Sequence, residues 1–340
     1  MYKESKTSQS AVKKRLYCAL LMILACTACT EQQTGALNLG SAGGQNARIQ
    51  ALKPQAVMIL QQGLNSPSAK IRTHAIEVAA ETGQKETLGT ITKLTTDSIV
   101  PVRFAAVVAL GDMKCGKCEQ TIRKSLNDPD VNVRIAASYS LVKLGKKDYV
   151  AQLLAATKST DQTVRANAAL LIGKLDNPDH IPLLYEVMTA QDSVTKVRMQ
   201  AVESIARLGD ERMYRSKLWA LQISKFADDR VMGIRGMGAL NSQESREAIQ
   251  TMLQDDIVEV RLAAAEQLAR LGDFSGEEEV WTYFQGTPDL NKADIANGMA
   301  VMAIGHLQTD RLNAYLGQAL NSQNPYIQLL AAQSVLIQVK

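Results

Sequence analysis

Apolar and polar positions along the chain fall into one phrase that keeps returning. Its cleanest copy, residues 128–145, reads as a polar turn, an aliphatic residue followed by Arg134, a helix with an apolar residue every three to four positions, and Gly145. Nine copies align on Arg72, Arg103, Arg134, Arg165, Arg198, Arg235, Arg261, Asn297 and Gln328. The first three steps and the last are 31 residues, and the intervening ones are 33, 37, 26 and 36. A recurring period of this size marks a stacked-repeat protein. Three residues after the index stands Ala75, Ala106, Ala137, Ala168, Ala201, Gly238, Ala264, Ala300 or Ala331. Seven after it the residue is apolar in every copy except Ser242. Those offsets share one helical face. A position that is always small predicts a second helix crossing there at close range.

Each copy therefore predicts two antiparallel helices, A and B. In the first, helix A covers 54–64, a Pro-containing turn covers 65–68, and helix B covers 70–82 with Gly83 as its stop. In the sixth, helix A covers 211–225, and helix B, over 231–240, is rich in Gly and Met and expected to fray. The fold class is all-α: an α-solenoid of about nine helix pairs over residues 51–340, an open curved ribbon rather than a globule built around a reaction pocket. The last repeat, which reaches Lys340 with no Gly stop, reads as a terminal cap. Aromatic content of 4% suits many thin helix-on-helix contacts.

The N-terminal stretch is different in kind. Lys13, Lys14 and Arg15 precede a ten-residue apolar run, 16–25, too short to span a bilayer. Met22-Ile-Leu-Ala-Cys26 resembles the lipobox of bacterial lipoproteins, and Cys26-Thr-Ala-Cys29 supplies a second candidate at Cys29. The resemblance implies a signal peptide over 1–25, lipid on Cys26 or Cys29, and, with Thr27 rather than Asp following Cys26, an outer-membrane lipoprotein facing the periplasm. An ordinary cleaved signal is the other reading. Residues 26–50, polar and rich in small side chains, read as a flexible tether. The formal charge of +4 belongs to this leader. Residues 1–25 hold five basic side chains and one acidic, which leaves 33 of each sign beyond them. That balance speaks against nucleic-acid binding.

Asp97, Asp128, Asp192, Asp229 and Asp255 each stand six positions before an index residue, and Asp161 stands four before. They are expected to cap helix B and to pair with the index arginines Arg72, Arg103, Arg134, Arg165, Arg198 and Arg261 in a ladder; a charged binding stripe is the alternative. The Val-Arg-x-x-Ala-x-x-x-Leu-Gly pattern of 97–111 and 255–272 resembles HEAT-like repeats, of the short kind named from phycobilin lyases. The resemblance covers about 51–340 and implies an α-solenoid whose B helices line the concave side as a docking surface. No ankyrin Thr-Pro-Leu-His or tetratricopeptide Trp/Tyr pattern occurs.

Little in the sequence suggests catalysis. Cys115-Gly-Lys-Cys118 reads as a local disulfide in an oxidising compartment or, in another setting, as a redox pair. Some HEAT-repeat enzymes hold a di-iron centre through His-Glu pairs, but His74, His180 and His306 are scattered and none precedes Glu. No metal, cofactor or catalytic set is expected. Trp219 and Trp281 are candidate interface anchors or helix core. The functional expectation is a non-catalytic, lipid-anchored envelope scaffold binding protein partners. The rival is a lyase-like enzyme or accessory subunit.

Overall fold

The structure is a computed structural model that describes residues 42–292 and 294–340. Among these, regular structure is helical throughout, with no strand. The A helices are α1 (Ala42–Leu64), α3 (Leu88–Leu94), α5 (Glu119–Ser125), α7 (Val150–Ala156), α9 (Ile181–Thr189), α11 (Trp219–Gln222), α13 (Gln243–Thr251), α15 (Glu277–Gln285) and the pair α17 (Asp310–Asn313) and α18 (Leu316–Leu320). The B helices are α2 (Ala69–Glu81), α4 (Val100–Asp112), α6 (Val131–Lys143), α8 (Gln162–Gly173), α10 (Thr195–Arg207), α12 (Ala227–Leu240), α14 (Val258–Arg270), α16 (Ile295–Leu307) and α19 (Pro325–Gln338). The chain is thus an α-solenoid of helix pairs. One boundary moves: α1 begins at Ala42, so 42–50 is helical rather than tether, and Ile49 is buried in the first repeat. The lipidation candidates Cys26 and Cys29 lie outside the described residues.

The repeat phrase translates into three contacts. First, index arginines stitch neighbouring turns together, most fully Arg72, Arg103 and Arg165. Arg72 Nη1 donates to the Ser66 carbonyl of its own turn, while its Nε and Nη2 donate to Asp97 of the next repeat, both at 2.9 Å. Arg103 does the same with the Asp97 carbonyl and Asp128, and Arg165 with the Ser159 carbonyl and Asp192. Burial by itself raises the Asp97 and Asp128 carboxyls, but the arginine hydrogen bonds and a turn N–H outweigh it and hold both below the ordinary range. Arg134 and Arg198 reach backbone carbonyls, and Arg261 pairs with Glu279 of α15. Asp97, Asp128 and Asp255 do not cap helix B. Each accepts the N–H two residues on, closing an Asx turn, and the side-chain caps of α6 and α8 are Asp130 and Asp161.

Second, the small residue three after the index is fully buried: Ala75, Ala106, Ala137, Ala168, Ala201, Ala264, Ala300 and Ala331 are all at 0% exposure. Third, successive B helices cross through a Gly–Ser contact. Ser140, Ser204 and Ser334 donate to the carbonyls of Val107, Ala169 and Val301 on the preceding B helix, at 2.7, 2.9 and 2.7 Å. Opposite each serine is a glycine, Gly111, Gly173 or Gly305, at which an added Cβ would come within 3 Å of the serine Cα. Gly111 is therefore a crossing residue inside α4, not a helix stop of the kind read at Gly83. Lys114 makes the left-handed turn instead.

The sixth repeat is corrected in register. Its stitching residue is Arg230, which donates to the Ser224 carbonyl and, at 2.7 Å, to Asp255. Moving the index from Arg235 makes the flanking steps 32 and 31 residues. It also removes the polar exception, because Ser242 is the N-cap of α13 and Met237 takes its buried place. Asp229 leaves the ladder and accepts from Ser224 Oγ instead. α12 is a continuous helix rather than a frayed one, because Gly233 and Gly236 let Leu218 and Leu221 pack directly on its backbone.

The ribbon closes on itself. α19 packs against α1 and α2, with Gln55 Nε2 donating to Asn321 Oδ1 at 2.9 Å and the His74 and Tyr326 rings 4.9 Å apart. Gln333 Nε2 donates to Glu81 at 2.6 Å, and Lys340 Nζ to the Glu81 carbonyl at 3.3 Å. The ninth repeat thus finds its cap in the first, where an open array would leave an apolar end.

Candidate functional site

Closure turns the concave face into a lumen. The residues five and nine positions after each index point into it, one helical turn apart. They include Glu77 and Glu81 on α2, Asp112 on α4, Tyr139 and Lys143 on α6, Lys174 after α8, Glu203 and Arg207 on α10, Arg235 on α12, Glu266 and Arg270 on α14, and His306 on α16. Cations in the last turn of a B helix also suit the negative end of its dipole.

At the C-terminal ends of the B helices these groups form two knots. In one, Asp112 accepts from Lys174 Nζ at 2.6 Å and from the Tyr139 hydroxyl beneath it. Burial and the Asp112 carboxylate push the Tyr139 phenol well above its ordinary value. In the other, Arg270 pairs with Glu266 on its own helix and, at 3.1 Å, with Glu81 across the ring. His306 beside them is driven down to about 4 by burial and by the Arg270 charge. Burial raises the Glu266 carboxyl, but Arg270, His306 and Arg235 bring it below its ordinary value. Ion pairs thus tie the lumen together at this end.

Towards the N-terminal ends the lumen opens into a cavity of about 330 Å³ between α2, α4, α8 and α10. Its wall is apolar, with Phe104, Ala105, Val108 and Leu170. Glu77, Asp112 and Lys174 form the floor, and Pro101, Thr163 and Lys196, all exposed, stand at the mouth. Glu77 faces the enclosed cavity rather than bulk solvent. Burial pushes its carboxyl up, against the pull of His74, 3.7 Å away, and of Lys174.

The other feature is on the outside of repeat six. A π turn over Tyr214–Leu218 leads into the short α11, and Trp219, Ile223 and Phe226 are 50%, 61% and 58% exposed. Trp219 is therefore on the surface. Trp281 is half-buried against the core with the Arg311 guanidinium 5.1 Å over its ring, so it is not an open anchor. Cys115 and Cys118 are joined as a disulfide at the start of the third repeat. Among the described residues no group of three or more His, Cys, Asp or Glu could hold a metal. No described helix is long and apolar enough to cross a membrane.

The lumenal columns were missed in the sequence because each charge taken alone resembles a solvated helix face. A signal was present: Glu77 and Glu81, Glu203 and Arg207, and Glu266 and Arg270 occupy the same two offsets in three repeats.

Comparison with known proteins agrees on the repeat type. A family model described as HEAT repeats matches residues 57–121, 101–161 and 150–216. Deoxyhypusine hydroxylase of Neurospora crassa is 30% identical over 133 residues, 38% of this chain and 34% of that protein, so the chain matches only about a third of its relative's length. Among solved structures, a phycocyanin lyase complex from Nostoc sp. aligns with a TM-score of 0.43 and 18% identity, covering 74% of this chain and 97% of that one. Human deoxyhypusine hydroxylase aligns with a TM-score of 0.37 and 13% identity, covering 76% and 98%. Paired helices, the buried alanine, the stitching arginines and the family match together make this chain a HEAT-like repeat protein.

Proposed function

We propose that the chain is a non-catalytic adaptor of a bacterial cell envelope, held at the membrane by lipid on Cys26 and binding a protein partner through the outside of repeat six. The observation that carries the docking site is the exposed cluster of Trp219, Ile223 and Phe226. Large apolar side chains grouped on one surface are costly to leave in water, and aromatic anchors dominate interface energies. The anchor rests on the 16–26 stretch, and the periplasmic side follows from it.

Two experiments separate these parts. A photo-crosslinking amino acid at position 219, used in intact cells, captures one envelope protein, and Phe226→Ser abolishes the capture while leaving the fold intact. Capture of many proteins at low yield, unaffected by Phe226→Ser, defeats the docking site. Cys26→Ala releases the protein from membranes; unchanged fractionation moves lipidation to Cys29 or removes it. The second reading, a lyase-like enzyme or accessory subunit, is favoured by the ligand-sized lumenal cavity, and turnover of a bound small molecule would establish it.

A further inference from the structure

Lining the cavity between α2, α4, α8 and α10 is a buried polar group with no partner among the described residues. Gln200, on α10, is only 6% exposed and lines the cavity, and its Nε2 meets no acceptor. A buried amide donor left unpaired loses its hydration without recompense, so it calls for a partner. One helical turn nearer the mouth on the same face stands Lys196, which pairs with no carboxylate among the described residues. The other polar groups nearby are committed. Asn167 donates to Asn132 at 2.9 Å, and Lys174 is held by Asp112. The two groups left to meet a ligand are thus donors, one a buried amide and the other a solvent-facing cation. Below them the wall of Phe104, Val108, Ala105 and Leu170 offers no hydrogen bond, and the floor carries Glu77 and Asp112.

We infer that the lumen is a binding site for a small organic anion with an apolar body. Its carboxylate sits at the mouth between Lys196 and Gln200, and its apolar part lies against Phe104, Val108 and Leu170. The polarity follows from the partners: the floor's cation, Lys174, is already held by Asp112, and Glu77 adds only a carboxyl, so the floor has no free cation for an anionic group, and the head stays outward while the tail points in. The volume sets the size. At about 30 Å³ per water-sized unit the cavity holds a body of about eleven such units, the lower end of small-molecule sites. A medium-chain carboxylate fits and a large ring system does not. This site is separate from the repeat-six surface, so its failure leaves the docking proposal standing.

The test uses the purified full-length protein and octanoate as probe, with octylamine and octanol as controls, read by titration calorimetry. Octanoate is expected to bind at one site per chain, at least tenfold more tightly than either control. Gln200→Leu and Lys196→Ala each weaken octanoate at least fivefold while leaving octanol unchanged. Leu170→Trp, which fills the cavity, abolishes binding of all three, and circular dichroism confirms that each variant is folded. The inference is overturned if octylamine binds as well as octanoate, if octanoate shows no saturable binding, or if its binding survives in folded Gln200→Leu and Lys196→Ala unchanged. Should Leu170→Trp not fold, the two polar variants decide the matter alone.

Discussion

Replacing Gly111 with Ala tests whether the B helices cross as closely as the structure shows. An added Cβ at this position would stand 2.7 Å from Ser140 Cα and 2.7 Å from Ser140 Cβ, contacts that no rotamer change relieves because one of them is backbone. Overpacking of this kind costs about 1–3 kcal/mol. The substitution also gains up to about 1 kcal/mol of helix propensity, since Gly111 lies within α4. With the full propensity gain the net effect is a loss of up to about 2 kcal/mol. Gly89 supplies the control. It is helical and exposed, and an added Cβ would meet nothing within 4 Å, so Gly89→Ala gains about 0.5–1 kcal/mol. Chemically identical substitutions, 22 residues apart, thus shift the urea midpoint in opposite directions. Hydrogen exchange should place the loss in α4 and α6. If Gly111→Ala is as stabilising as Gly89→Ala, the helices are not in contact there and the crossing scheme is wrong.

Three further outcomes are expected. Arg103→Ala leaves Asp128 half-buried without its partner and costs about 2–4 kcal/mol, whereas Arg134→Ala, which loses only carbonyl contacts, costs about 1–2; equal urea midpoints would remove the ladder's contribution. His306 titrates at about 4 in the fold against an ordinary 6.5, so between those values the unfolded chain binds the extra proton. Its contribution is intact above about pH 6.5 and falls by up to about 3 kcal/mol as the solution is acidified through 4. The stability difference between the parent and His306→Asn should therefore shrink over that window, and a constant difference would refute the burial of the neutral ring. Trp219→Ser should leave the thermal midpoint within a degree or so while weakening partner capture, because the side chain is half exposed. A large drop in stability would make it a core residue instead.

How much was legible depended on how local each constraint is. The helix pairs, the buried alanine and the stitching arginines lie in a single repeat and recur, so spacing alone displays them. Repeat six was misplaced by five residues. Asp229 and Arg235 happen to keep the six-residue offset, whereas the true partner of Arg230 in its own turn is a backbone carbonyl, which no residue type marks. The Gly–Ser crossing was visible in principle, since Gly111, Gly173 and Gly305 all stand eight after an index. It went unseen because Leu-Gly also ends helices elsewhere, as at Gly145 and Gly209. Closure could not be read. Glu81 and Arg270 are 189 residues apart, and nothing in either repeat announces the other. With closure hidden, the lumen, the cavity and the role of Gln200 were hidden too.

The central claim is that the first and ninth repeats meet. Gln55 and Asn321, joined by a 2.9 Å hydrogen bond, stand on the two sides of that seam. In monomeric protein carrying Gln55→Cys and Asn321→Cys, a short thiol crosslinker should join positions 55 and 321 within one chain, identified by mass spectrometry. Solution scattering should give a radius of gyration of about 20 Å, as for a compact chain of this length. A chain that stays unjoined and scatters as an elongated particle would contradict the ring.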